Sequence, residues 1–214
     1  NVLYYHRDLD RYAAQQAEAR WHMVLPRPAA ECSVGIMGLG ELGSHAAALL
    51  QRQGFRVAGW SRSRRTLDGV TSYAGPGELA AFLGGLDQLV CLLPLTAETR
   101  GILDASLFAG LPAGAVLIHV GRGQQLVPAD LTAALDAGRL RGALLDVLPE
   151  EPLPAASPLW RHPKIRITPH AAAYALPNPV DTKVIDWLVA TSGKPNVPAS
   201  RIAEVWRKLS DWPG

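Results

Sequence analysis

Short unbroken apolar runs alternate along the chain with longer stretches whose apolar residues recur every three to four positions. The runs at 33–37, 56–60, 88–93, 115–120, 143–147 and 165–168 read as strands. Their continuity, without polar alternation, is what a sheet covered on both faces requires. Helical spacing predicts helices over 42–53, 77–83, 129–137 and 179–191, and a last one over 200–209. Strands and helices in this alternation make a doubly wound α/β domain around a parallel sheet.

The two ends depart from that rhythm. Val2, Leu3, Tyr4, Leu9, Tyr12, Ala13 and Ala17 recur at helical spacing with no capping residue before them. The chain is therefore expected to open inside a helix, with Val2 and Leu3 exposed, as a fragment of a longer protein would. Residues 23–31, "MVLPRPAAE", read as a linker in which Pro26 and Pro28 stop the helix. Beyond Leu176 the pattern weakens, and Trp206 and Trp212 suggest a segment that docks against something.

Composition narrows the function. An apolar fraction of 48% and a charged fraction of 19% suit a folded domain, and a net charge of +2 is too small to argue for nucleic acid or an anionic membrane. Cys32 and Cys91 fall at or inside buried strands, which favours free thiols in a reducing compartment. The apolar runs are too short to span a bilayer, and the start does not resemble a secretory signal, so a cytoplasmic location is expected.

The turn after the first strand reads Gly38-Leu39-Gly40-Glu41-Leu42-Gly43 and opens a helix. This G-x-G-x-x-G pattern fits a dinucleotide site. Gly38 permits the tight turn, Gly40 lets backbone approach a pyrophosphate, and Gly43 lets helix and strand pack closely. The first helical N–H groups, at Glu41, Leu42 and Gly43, would then face the phosphates. About 20 residues further on, where an acid usually grips the ribose hydroxyl, stand Ser61, Arg62, Ser63, Arg64 and Arg65. A hydroxyl and guanidinium groups suit a 2′-phosphate, so NADP(H) is expected over NAD(H). Ser61, Arg62 and Ser63 would form the phosphate site, with Arg64 or Arg65 in support.

Other polar residues collect where the strands end, which is where ligands bind on an open parallel sheet. Arg122 follows "VLIHVG", Asp146 closes "GALLDV" just before Glu150 and Glu151, and His170 follows "IRITP". Arginine, carboxylate and histidine form a coherent set for reducing a 2-oxo acid. The guanidinium fork binds a carboxylate, the imidazole donates a proton, and an acid orients the ring. The competing reading is a non-catalytic NADP(H)-binding module, for which the three residues together would have no use. The sequence holds no C-x-x-C, H-x-x-x-H or G-x-S-x-G pattern, so neither a metal site nor a hydrolase elbow is expected.

"VGIMGLGELG", "CLLPLTAETRGIL", "HVGRG", "GALLDVLPEEPLP", "SPLWRHPKI" and "ITPHAAA" together resemble the D-isomer-specific 2-hydroxyacid dehydrogenases, nearest to their glyoxylate/hydroxypyruvate reductase A branch. The resemblance implies a Rossmann nucleotide-binding domain over 28–176. Remnants of a substrate-binding lid would flank it: a linking and dimerisation helix with linker over 1–27, and a helical segment over 177–214. It implies that Arg122 binds the substrate carboxylate and carbonyl, that Glu151 rather than Glu150 partners the catalytic histidine, and that His170 is the acid/base. It places Asp146 near the nicotinamide amide, Pro94 and Thr99 in a loop beside the cofactor, and Val120, Gly121, Arg122 and His170 along its edge. Such enzymes are usually homodimers, with Trp21 and its neighbours at the interface here. Two departures stand out: the N-terminal half of the lid is missing, and the C-terminal segment diverges.

Overall fold

The computed structural model describes residues 1–172, so the expected helices over 179–191 and 200–209, Trp206, Trp212 and the boundary at 176 lie outside the described residues. Seven strands form one wholly parallel sheet: β1 Ser33–Met37, β2 Arg56–Ser61, β3 Thr71–Ala74, β4 Gln88–Cys91, β5 Ala115–His119, β6 Leu140–Leu145 and β7 Ile165–Ile167. Their spatial order is β3-β2-β1-β4-β5-β6-β7. The order reverses between β1 and β4, and that switch point opens a crevice beyond the carboxyl ends of the strands.

Unbroken apolar runs arise here because each central strand feeds two cores. Val34, Ile36, Val90, Val116, Ile118 and Leu144 pack on one face, while Met37, Leu89, Cys91, Leu117, Ala143 and Leu145 pack on the other. Helices cover both sides: α1 Val2–His6, α2 Leu9–Ala17, α3 Glu41–Arg52, α4 Leu79–Leu83, α5 Ala105–Gly110 and α6 Pro128–Asp136. Among the described residues no helix is long and apolar enough to cross a membrane. Both cysteines are buried free thiols.

The structure corrects several expectations. The first helix is two, broken where Asp8 takes the left-handed conformation (φ 53°), and the buried Asp8 carboxylate accepts a 2.5 Å hydrogen bond from Arg141. Val2 is half-buried against the core, whereas Leu3 is exposed. Tyr5, on the same face as Val2, is wholly buried beside Gly142. The expected helix over 77–83 is a 3₁₀ turn, Pro76–Glu78, followed by the short α4. Strand β6 starts at Leu140 rather than 143. Strand β3 had no signal, because "TSYA" lies half-exposed at the sheet edge and carries no apolar run.

Candidate active site

The glycine turn joins β1 to α3 at the crevice. Gly38 has φ 103°, and a Cβ at Gly43 would lie 1.9 Å from the Gly38 carbonyl oxygen, so both positions demand glycine for the fold itself. Gly40 differs. A Cβ there would meet no protein atom within 4 Å, so nothing described in the chain explains a glycine at this position. It is also the N-cap of the 12-residue α3 and supplies no capping side chain, which leaves the first-turn N–H groups of Glu41, Leu42 and Gly43 without one. A bare helix start beside an open glycine fits a bound pyrophosphate.

The five residues after Trp60 divide into two groups. Ser61 ends β2, and its hydroxyl donates to the Ser63 carbonyl at 2.7 Å. Arg62 and Ser63 are exposed, and Arg62 forms no ion pair with any described residue. Glu98, in the loop after β4, is held below the usual carboxylate range chiefly by a hydrogen bond from Thr96, with the Arg62 charge adding to this. Arg64 is committed elsewhere. Its guanidinium binds the Glu78 carboxylate and, at 2.5 Å, the Ser72 carbonyl, bracing the β3 edge. Arg65 is exposed, with its backbone N–H on the Ser72 hydroxyl. Of the two arginines expected in support, Arg64 is thus a structural brace.

Beyond β4 the loop folds on Thr99, whose hydroxyl donates to the Pro94 carbonyl at 2.7 Å and accepts from the Thr96 N–H at 2.8 Å. Beyond β5, Val120 and Gly121 lead to Arg122, an exposed side chain whose Nη1 donates to the Gly121 carbonyl at 2.7 Å. His119, the last residue of β5, is fully buried, with Nε2 3.0 Å from the Arg122 carbonyl. Burial pushes its pKa down to about 4, against the opposing pull of that carbonyl and Glu151. The ring is therefore neutral and donates from Nε2, while Nδ1 has no partner among the described residues. In the sequence His119 has no companion histidine or cysteine at metal-ligand spacing. A polar residue inside an otherwise apolar strand was the available signal.

Past Arg122, a Cβ at Gly123 would lie 1.8 Å from the Leu148 carbonyl oxygen. Only glycine lets this turn press against the loop after β6. That loop carries Glu151, whose Oε1 accepts the Leu148 N–H at 2.8 Å and whose Oε2 lies 2.8 Å from His170 Nδ1. Partial burial pushes the Glu151 carboxyl up, but the bonds from His170 and Leu148 outweigh it and hold it below the usual carboxylate value. An ionised Glu151 fixes the Nδ1–H tautomer and turns Nε2 outward. Glu150 has no such contact among the described residues.

His170 itself sits in the left-handed region (φ 54°), a conformation that needs external support. Asp146 provides it. Its backbone carbonyl accepts the His170 N–H at 2.8 Å, and its buried carboxylate accepts from the Thr168 hydroxyl and, at 2.9 Å each, the N–H groups of Ala171 and Ala172. Three of the four lone-pair positions of this carboxylate are thereby taken. The ends of β5, β6 and β7 thus carry Arg122, Asp146 and His170, joined through Gly123, Leu148 and Glu151.

The sequence profile of "D-isomer specific 2-hydroxyacid dehydrogenase, NAD binding domain" matches residues 1–172. The chain belongs to the D-isomer specific 2-hydroxyacid dehydrogenase family. Among curated relatives in the family, glyoxylate/hydroxypyruvate reductase A of Salmonella heidelberg (strain SL476) is 46% identical over 190 residues, which are 89% of this chain and 60% of that protein. The chain therefore spans 60% of the length of the curated relatives it matches first. A family member from Xanthobacter autotrophicus Py2, solved in complex with NADPH and MES, is 44% identical with a TM-score of 0.81 over 92% of this chain and 81% of that one. The NADPH-dependent glyoxylate/hydroxypyruvate reductase of Sinorhizobium meliloti, solved with NADP and sulfate, is 41% identical with a TM-score of 0.79, covering 91% and 63% respectively.

Proposed function

We propose that this domain binds NADP(H) and serves the reduction of small 2-oxo acids such as glyoxylate and hydroxypyruvate to 2-hydroxy acids. The observation that carries the reading is the 2.8 Å pair between Glu151 and His170 at the mouth of the crevice. A module that only bound dinucleotide would need no oriented imidazole there. When bound, the reduced nicotinamide supplies the hydride. The Arg122 fork holds the substrate carboxylate and polarises the adjacent carbonyl. His170, protonated on both ring nitrogens, gives its Nε2 proton to the carbonyl oxygen as negative charge develops, and Glu151 keeps the Nδ1–H and holds the ring in line. Asp146 shapes the His170 turn and keeps one lone pair for the carboxamide. Arg62, with Ser61 and Ser63, meets the 2′-phosphate, in keeping with the NADPH and NADP bound by the related structures. Buried free thiols at Cys32 and Cys91 suit a reducing compartment, and so the cytoplasm.

His170→Ala should lower reduction of glyoxylate roughly 100-fold or more, the usual contribution of a general acid, while NADPH affinity stays within about twofold. Stopped-flow turnover paired with NADPH fluorescence titration reads both. Near wild-type turnover in the variant would contradict the role of His170.

A further inference from the structure

Gln125 is fully buried, and every hydrogen-bonding position of its side-chain amide is filled. Oε1 accepts the Arg122 backbone N–H at 2.8 Å and faces the Cys91 thiol at 3.8 Å. Nε2 donates to the Leu93 and Pro94 carbonyls, each at 3.0 Å. These partners fix which way the amide points, since a flip would set N–H against N–H and oxygen against two carbonyls. Gly121 makes room for it, because a Cβ there would come within 2.4 Å of Oε1.

The main chain repeats the connection. The Gln125 N–H donates to the Arg122 carbonyl at 3.0 Å, and the Gln125 carbonyl accepts from Leu103 at 2.9 Å. Gly101 donates to the Gln124 carbonyl at 3.0 Å, and Val127 to that of Leu103 at 3.1 Å. The loop after β4 is thus attached to the Arg122 turn at both ends: by the Gln125 side chain at Leu93–Pro94 and by a backbone ladder at Gly101–Leu103. A buried amide with all its positions filled is costly to disturb, so the spacing it sets is rigid.

We propose that Gln125 is a positioning residue that ties the Arg122 turn to the Leu93–Pro94 segment, holding the substrate-carboxylate fork and the cofactor loop at one fixed spacing. This rests on the reading of Arg122 and Pro94 given above. Gln125 touches neither substrate nor cofactor; it acts through the two segments that do.

Gln125→Met keeps the volume but leaves the Arg122 N–H and the Leu93 carbonyl unpaired, and the Pro94 carbonyl with only the Thr99 hydroxyl. Measured in the full-length protein, it should raise the KM for glyoxylate about tenfold and weaken NADPH several-fold, the scale expected when buried partners lose their hydrogen bonds. Because the substrate effect runs through Arg122, the same change on an Arg122→Lys background should raise KM by less than about threefold. A full tenfold effect on that background would reduce Gln125 to a core residue and overturn the proposal, as would unchanged KM and NADPH affinity in the single variant. If the wild-type protein reduces no 2-oxo acid, the functional reading fails, and NADPH titration alone decides the tie: weakened binding in Gln125→Met supports it and unchanged binding refutes it. Should Gln125→Met not fold, Gln125→Asn, which keeps the amide one methylene short, is read in the same way.

Discussion

Arg62 and Arg64 stand two residues apart and do different work. Arg64 is neutralised by Glu78 at the sheet edge, whereas Arg62 is exposed and has no ion pair among the described residues. Arg62→Ala should therefore weaken NADPH by about 10- to 100-fold, the worth of a charge-assisted hydrogen bond, and leave NADH nearly unchanged. Equal losses for both cofactors, measured by titration, would remove Arg62 from the phosphate site. His119 makes a second prediction at this scale. Its pKa falls from 6.5 to about 4 on folding, so as the solution is acidified the unfolded chain takes up the proton first. The stability that His119 contributes is complete above pH 6.5 and is lost between 6.5 and about 4, at most about 3 kcal/mol. His119→Gln, which keeps a donor for the Arg122 carbonyl, should show a flatter loss of unfolding free energy between pH about 7 and about 5. An unchanged slope would contradict the assignment. The depressed Glu151 carboxyl acts elsewhere on the scale: its contribution is present above the usual carboxylate range and fails only as pH falls below it.

Among the elements, what the sequence made legible followed burial. Strand β1 matches its expected bounds, because Val34, Ile36 and Met37 serve two cores and leave an unbroken apolar run. Strand β3 and the break at Asp8 were invisible, since one depends on edge pairing with β2 and the other on an ion pair with a residue 133 positions away. The site divides in the same way. Gly38, Arg122, Glu151 and His170 follow strand ends and could be read locally, whereas Gln125 and His119 act through partners that only the folded chain supplies. The glycine turn offers a direct contrast between fold and ligand. Gly43→Ala drives a Cβ into the Gly38 carbonyl, against backbone that cannot yield, and should cost about 1–3 kcal/mol or more of stability. Gly40→Ala meets nothing in the protein. It should leave the Tm nearly unchanged and weaken NADPH. Thermal unfolding together with titration separates the two, and a large loss of stability in Gly40→Ala would mean that this glycine serves the fold instead.

For the whole molecule, the decisive feature is that independent strand ends converge on one switch-point crevice. The glycine turn and Arg62 stand on one side, and the loops after β5, β6 and β7 on the other. The family is defined over residues 1–172, while the chain spans 60% of its curated relatives. The most direct test is therefore NADPH oxidation with glyoxylate or hydroxypyruvate in the full-length protein, with NADH as the control cofactor. Turnover with NADPH should greatly exceed turnover with NADH. Equal use of the two cofactors, or no oxidation of either while NADPH still binds, would contradict it.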